Sequence, residues 1–148
     1  MHINLEKVEN CNRVFQVDSF EKEYRALFGK NPFVFSRYQN KLLFNLQQLD
    51  AEGLKVLSFC ERFEDLHQDV SGYTIYSIRH KSKTMNPRVL FFCHNKKQEA
   101  FILLNCFLEK SKSDYDRAIE RAKGKILKLL REGNAVWHLM KWLKMRKK

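Results

Sequence analysis

The clearest hydrophobic pattern of the chain lies between residues 73 and 132. Three runs rich in β-branched and aromatic residues, at 73–80, 88–94 and 100–107, each predict a strand. The first run alternates between two faces, whereas the second and third are apolar on both faces, as is typical of central strands. The connections between them are short and polar, so we expect three consecutive antiparallel strands.

A long basic helix is predicted to follow at 114–131. Its apolar residues recur at helical spacing and form one stripe, which contains Ala118, Ile119, Ala122, Ile126, Leu129 and Leu130. A separate cationic stripe contains Arg117, Arg121, Lys125 and Lys128. Ser113 with Asp116 three residues later resembles a capping box, which is typical of a helix start.

The first 72 residues carry shorter patterns, which predict helical cover for that sheet. Either Asp18 or Ser19 is placed to cap a first helix, and Gly29 follows its end. A second helix is indicated by apolar residues spaced by three or four positions up to Leu49. The predicted elements are a strand at 13–17, helices at 20–28 and 33–49, a short apolar segment at 54–59 and an acidic loop at 61–70.

The last residues, 133–148, read as a basic helical tail. Apolar residues recur there at helical spacing, both tryptophans lie there, and the chain closes on Arg146, Lys147 and Lys148. A tail helix that packs on the body is one interpretation, and a helix lying on a membrane surface is the other. No apolar run approaches the ~20 residues that span a bilayer, so we expect no membrane partner.

Together these patterns predict an α+β fold. We expect a small antiparallel sheet with the N-terminal helices on one face and a basic C-terminal helix. Of the 148 residues, 44% are hydrophobic and 13% aromatic, which favours a folded protein over disorder. The chain is long enough for one core but not for two, so residues 1–148 are predicted to form a single domain, with its core at about 11–132.

Charge is distributed unevenly along the chain. Up to Gly72 there are 9 Lys and Arg residues against 11 Asp and Glu, and from Tyr73 onwards there are 19 against 6. The second part is therefore strongly basic, and basic patches attract polyanions. This asymmetry favours a nucleic-acid partner, although many small domains are basic without one.

The four cysteines lie far apart and show no C-x-x-C spacing. This arrangement argues against a disulfide framework and against a structural zinc site. No signal peptide pattern opens the sequence. We therefore expect a cytoplasmic protein with free thiols and no metal or other cofactor.

Four short segments, in order, carry a resemblance to a known family. They are residues 75–79 (IYSIR), 88–92 (RVLFF), 101–112 (FILLNCFLEKSK) and 118–122 (AIERA). Together with the predicted order of elements, they resemble the phage-derived, HigB-like branch of the RelE/ParE superfamily of small bacterial toxins. The likeness spans about residues 73–130. Glu109 stands where that branch usually has a lysine, and the proline that commonly opens the last helix is missing.

This resemblance implies a toxin of a type II toxin–antitoxin system. Such a toxin is an endoribonuclease that cleaves mRNA, commonly on the ribosome, and is neutralised by an antitoxin. In the HigB-like branch the antitoxin is typically a helix-turn-helix protein, so we expect one to be encoded in the neighbouring reading frame.

The residues are compatible with that chemistry. Cleavage of RNA by its own 2′-OH needs a base, cations around the phosphorane and an acid, but no metal. Arg79 and Arg88 lie on adjacent predicted strands, and two arginines on one face can bracket a phosphate. Lys110 precedes the basic helix, whose N-terminus also attracts phosphate. His80 is a candidate base or acid whose pKa nearby cations would lower.

Each of these candidates has a plainer interpretation. The two arginines could be surface residues at strand ends, Lys110 could belong to a solvated loop, and His80 could face away from Arg79 by strand alternation. His94 reads as a turn residue, and Tyr115 and His138 are further candidate acids. The residues predicted to bind RNA are Lys81, Lys83, Lys112, Arg117, Arg121 and Lys125.

Two other functions remain open at this point. A ParE-like protein on the same fold would inhibit DNA gyrase by binding and would need no catalytic residues. A non-catalytic RNA-binding module would use the basic surface alone, and Glu109 is the residue that most favours it.

Overall fold

A six-stranded sheet is covered by helices on both faces in the computed structural model, which describes residues 3–80, 82, 85–95 and 99–132. The predicted α+β class is confirmed. The strands are β1 (Leu5–Lys7), β2 (Val14–Val17), β3 (Phe63–Val70), β4 (Tyr73–Arg79), β5 (Pro87–Asn95) and β6 (Ala100–Leu108). The helices are α1 (Phe20–Ala26), α2 (Pro32–Glu52) and α3 (Lys112–Glu132), and a 3-10 helix at Gly53–Ser58 follows α2.

The strands lie in the order β1-β2-β6-β5-β4-β3. Strands β4, β5 and β6 pair antiparallel, as predicted for the three consecutive runs. The N-terminal strand β2 joins the other edge of this triplet by pairing parallel to β6. The parallel pairing is possible because α1, α2 and three further strands separate β2 from β6 along the chain.

Two strands were not predicted. The acidic loop expected at 61–70 is wrong, because Phe63–Val70 forms β3 and pairs antiparallel with β4 across a turn at Ser71 and Gly72. Strand β1 pairs only with β2 at the opposite edge of the sheet. Edge strands expose one row of backbone groups and commonly carry charged side chains, so their sequences lack the apolar runs that mark central strands.

The two faces of the sheet are covered by different helices. On β6, the Asn105 amide donates to the Ala118 carbonyl of α3 at 3.1 Å, and the Phe107 ring lies edge-on to the Tyr115 ring. On the other face, α1 packs on β6 and also contacts α2. The Tyr24 ring of α1 lies 6.4 Å from the Phe35 ring of α2, and the Tyr24 hydroxyl donates to the Tyr38 carbonyl. The N-terminal helices therefore share one layer, and the basic helix α3 lies on the opposite side.

The helix ends follow from local chemistry. Asn31 accepts hydrogen bonds from the backbone of Phe33 and Val34, so α2 begins at Pro32. Ser19 precedes α1 but makes no capping hydrogen bond through its side chain. The capping box predicted from Ser113 and Asp116 is wrong, because α3 already begins at Lys112.

Several further predictions can be compared with the described residues. Within this part of the chain, which holds all four cysteines, no disulfide forms. None of the described helices is long and apolar enough to cross a membrane. The predicted tail helix at 133–148 and the turn residues 96–98 lie outside the described residues.

Candidate nucleic-acid interface

Arg79 and Arg88 lie directly opposite each other on neighbouring strands. Arg79 is the last residue of β4, Arg88 is the second residue of β5, and the two are cross-strand partners in the antiparallel ladder. Opposed residues on such a pair point to the same face, with Cβ atoms about 5 Å apart. The ladder therefore places both arginines on one face, which is the condition for them to bracket one phosphate.

Arg88 is enclosed by residues from the end of β6 and the start of α3. One Glu109 carboxylate oxygen lies 2.7 Å from Nη2 and 2.9 Å from Nε, and the Tyr115 hydroxyl lies 3.1 Å from Nε. Only 6% of Arg88 is exposed. A phosphate that reached this guanidinium would have to displace the Glu109 carboxylate.

Arg79 is also paired, but it is less enclosed. Its Nη1 lies 3.1 Å from a Glu64 carboxylate oxygen, and its Nη2 donates to the Cys60 carbonyl. Its Nε is buried and makes no hydrogen bond to the described residues. Glu64 lies on β3, in the segment predicted to be a loop, so no pattern in the sequence placed this carboxylate beside Arg79.

Glu109 and Tyr115 are held in place by the connection between β6 and α3. The Glu109 backbone N–H donates to the Asn86 carbonyl at 2.9 Å, which ties the end of β6 to the start of β5. The Tyr115 ring packs against Phe107, and burial raises the pKa of the Tyr115 hydroxyl, which the nearby Arg88 partly opposes. Tyr115 therefore keeps its proton at neutral pH and can donate it.

His80 does not join the arginine pair. It contacts α2 instead, where the Asn45 amide nitrogen lies 3.4 Å from its Nδ1. Burial lowers the pKa of His80 to about 4, and the cations of Lys41, Arg88 and Arg62 act in the same direction. The cations that were expected to lower this pKa therefore contribute less than burial does, and the imidazole is neutral at pH 7.

The loop before α3 has its own internal acceptor. Asp114 accepts hydrogen bonds from the backbone N–H groups of Lys110 and Ser111 at 2.9 and 3.0 Å. The Lys110 N–H bond is the main reason why the pKa of Asp114 is lowered, and the Arg117 side chain adds to it. These N–H groups are therefore occupied, while the Lys110 and Lys112 side chains are exposed.

Two predicted RNA-binding residues of α3 cover a strand edge. Strand β6 pairs with β2 only as far as Leu103. Beyond it, Lys125 Nζ donates to the Leu104 carbonyl at 2.8 Å, and Arg121 donates to the Cys106 carbonyl at 3.4 Å. Both cations also contact the Glu23 carboxylate, which accepts the Cys106 N–H. Arg121 and Lys125 therefore bond the part of the β6 edge that β2 does not pair with.

The remaining candidates differ in accessibility. Arg117 forms an ion pair with Asp114 at 2.8 Å, but 73% of its side chain is exposed. His94 lies in β5 and not in the predicted turn, and it stacks on the Tyr73 ring. Lys81, Lys83 and His138 lie outside the described residues. Among the residues that the structure describes, His, Cys, Asp and Glu side chains form no cluster of three or more suited to a metal ion.

Comparison with known proteins adds no relative. No family model matches the chain, no curated protein matches it, and no solved structure matches it. The resemblance to the RelE/ParE superfamily therefore stays a prediction that rests on the four sequence segments.

Proposed function

We propose that this protein is a metal-independent endoribonuclease that cleaves mRNA, acting as the toxin of a type II toxin–antitoxin system. The observation that carries the proposal is the placement of Arg79 and Arg88 opposite each other, with Glu109 and Tyr115 in contact with Arg88. Two guanidinium groups side by side match the charge of a phosphorane, and the neighbouring carboxylate and phenol supply a base and an acid.

In the proposed reaction the RNA supplies its own nucleophile. A phosphate enters between Arg79 and Arg88 and takes the place of Glu109 at the Arg88 guanidinium. The released Glu109 carboxylate accepts the proton of the 2′-OH, whose oxygen attacks the phosphorus. The bond to the 5′-oxygen breaks, and Tyr115 protonates that oxygen. The products are a 2′,3′-cyclic phosphate and a free 5′-OH.

The other predicted catalytic residues take different places in this proposal. His80 is neutral, buried and in contact with α2, so it is not assigned a proton-transfer role. Lys110 contributes charge from the exposed loop beside Glu109. Arg117 and Lys112 track the RNA backbone, and the ribosome and a helix-turn-helix antitoxin are the proposed partners.

One observation favours a second candidate, a non-catalytic RNA-binding module. Arg88 is nearly covered and its partner carboxylate is in place, which is the arrangement of an arginine that stabilises a fold. Under this alternative the exposed cations bind RNA and Arg88 joins β5 to α3. The two candidates differ in whether the arginines affect cleavage.

Expression in a bacterial host tests the proposal. Growth and the 5′ ends of mRNA are followed for the wild type, for Arg79→Lys/Arg88→Lys, and for Arg37→Lys as a control on the exposed face of α2. We expect growth arrest with new mRNA ends, lost in the double variant and kept in the control. Arrest with intact mRNA and damaged DNA would point to gyrase, and absence of arrest would favour the binding module.

A further inference from the structure

A second anion-binding candidate lies beside Arg79. A cleft of about 490 Å³ opens between α2, the residues that precede β3 and the end of β4. Its walls include Lys41, Phe44, Asn45, Arg62, Arg79 and His80. This volume lies within the range of 300–1,000 Å³ that is typical of small-molecule sites. Arg79 is the one cleft residue that the proposed reaction uses, and the other walls of the cleft have no role in that reaction.

One wall of the cleft includes the exposed aromatic ring of Phe44. Phe44 lies in the middle of α2, yet 63% of it is exposed, and Phe59 nearby is 40% exposed. The Arg62 guanidinium carbon lies 5.7 Å from the Phe44 ring centroid and 5.0 Å from that of Phe59. The guanidinium lies over the Phe44 ring, and the exposed part of that ring is a stacking surface for a planar, electron-rich group such as a nucleobase.

The charge of the cleft favours an anion. Lys41, Arg62 and Arg79 line it, against the single carboxylate of Glu61. Arg79 has a partner in Glu64, whereas Lys41 is exposed on α2 and lies over the Tyr38 ring. Lys41 and Arg62 are therefore placed to hold a phosphate next to the base that Phe44 would stack.

The floor of the cleft contains buried polar groups. Asn45 and His80 are 2% and 6% exposed, and both lie in the cleft wall. Each polar atom of the Asn45 amide has a protein partner, since its oxygen accepts from Arg62 at 2.7 Å and its nitrogen lies 3.4 Å from His80 Nδ1. The other imidazole nitrogen, Nε2, is buried without a hydrogen-bond partner in the described residues. A buried polar atom with no partner is costly unless something else binds it.

We propose that this cleft binds one nucleotide, with its base stacked on Phe44 and its phosphate held by Lys41 and Arg62. The inference rests on the proposed function for the assignment of that nucleotide to a single-stranded RNA. Arg79 adjoins both the cleft and Arg88, so a strand bound in the cleft continues towards the arginine pair.

Binding measurements with matched variants test the cleft. Two probes are titrated separately into the protein. One is a fluorescein-labelled single-stranded RNA of eight nucleotides, followed by anisotropy, and the other is each of the four nucleoside 5′-monophosphates, followed by calorimetry. Phe44→Ala is compared with Phe33→Ala, which removes an 82% exposed ring from the same helix. Lys41→Ala is compared with Arg37→Ala, which removes another exposed cation from α2.

We expect Phe44→Ala to weaken RNA binding about 5- to 150-fold, as stacking of one base does, and Phe33→Ala to leave it unchanged. Lys41→Ala should lower the slope of log affinity against log salt by about 0.7, the value for one phosphate contact on a single strand. Arg37→Ala should leave that slope unchanged.

The outcomes separate this inference from the proposed function. RNA binding that survives Phe44→Ala and Lys41→Ala would overturn the cleft while the proposed function stands. Binding of monophosphates but not of RNA, lost with Phe44→Ala, would keep the cleft and overturn the RNA nuclease. Absence of binding by both probes to the wild type would overturn the cleft.

Discussion

The Glu109 carboxylate, in the connection from β6 to α3, bridges Nη2 and Nε of Arg88 at 2.7 and 2.9 Å. The charge of Arg88 is thereby balanced by Glu109, as that of its cross-strand partner Arg79 is balanced by Glu64. Under the proposed function, Glu109 both competes with the incoming phosphate for Arg88 and acts as the base. Replacing Glu109 by glutamine separates these two roles.

Glu109→Gln should strengthen RNA binding and slow cleavage. Loss of the negative charge removes the competitor of the phosphate, and loss of the carboxylate removes the proposed base. We expect the RNA dissociation constant to fall several-fold and the rate of cleavage to fall about 10²-fold or more. Fluorescence anisotropy and single-turnover cleavage measure the two effects, with Glu120→Gln on the exposed face of α3 as the control. A parallel change in binding and cleavage would contradict the dual role.

Glu23→Gln should destabilise the fold, because the carboxylate joins α1, β6 and α3. It accepts the Cys106 N–H at 3.2 Å and contacts Arg121 and Lys125. We expect the free energy of unfolding to fall by about 1–3 kcal/mol, as for lost hydrogen bonds to charged groups. Glu21→Gln, which removes an exposed ion pair with Arg25, should cost less than about 1 kcal/mol. Equal losses in urea denaturation would show that Glu23 does not hold the strand edge.

Gly53→Ala should be more destabilising than Gly29→Ala. Both glycines have positive φ, but Gly53 combines φ 68° with ψ −150°, a conformation that is essentially restricted to glycine. A Cβ at Gly53 would also collide with the Glu99 carboxylate, which pairs with Arg13, whereas one at Gly29 meets nothing within 4 Å. We expect a loss of about 1–2 kcal/mol at Gly29 and a greater one at Gly53, measured by thermal and urea unfolding. A similar loss at both positions would argue against the collision.

Stability should fall as pH drops below about 6.5, partly because of His80. Burial and the cations of Lys41, Arg88 and Arg62 lower its folded pKa to about 4. As pH falls, His80 therefore takes up a proton in the unfolded chain before it does so in the folded one. The contribution of neutral His80 to the free energy of unfolding is complete above pH 6.5 and is lost as pH falls towards 4. Between pH 7 and pH 5 the wild type should lose about 2 kcal/mol more than His80→Gln. Equal losses in urea unfolding would mean that His80 does not carry this dependence.

The sequence predicted the central strands and the long helices because their patterns are local. β5 and β6 are apolar on both faces, and α3 carries one apolar stripe along its length. It did not predict β3, whose acidic residues suit an edge strand and whose order depends on pairing with β4. Local pattern carries no information about such non-local pairing.

The candidate site was predicted only in part, for a similar reason. The opposition of Arg79 and Arg88 follows from two adjacent antiparallel strands. Their carboxylate partners were not predicted. Glu64, the partner of Arg79, lies on the strand that was missed, and Glu109, the partner of Arg88, departs from the pattern of the family that the sequence resembles. The sequence predicts Arg121 and Lys125 as part of an exposed cationic stripe. In the structure they bond the edge of β6 beyond Leu103, where the pairing with β2 ends.

Cleavage of an mRNA, free and bound to programmed ribosomes, by the wild type and by Arg88→Lys tests whether the protein is an endoribonuclease that uses Arg88. Lysine keeps the positive charge beside Glu109 but loses the two-point contact with a phosphate. We predict cuts that end in 2′,3′-cyclic phosphate, that vanish when the nucleotide at the cut carries 2′-deoxyribose, and that slow at least 10²-fold in Arg88→Lys with its fold unchanged by circular dichroism. If mRNA stays intact both free and on ribosomes, or if the folded variant cleaves as fast as the wild type, the proposed Arg88-dependent endoribonuclease is wrong.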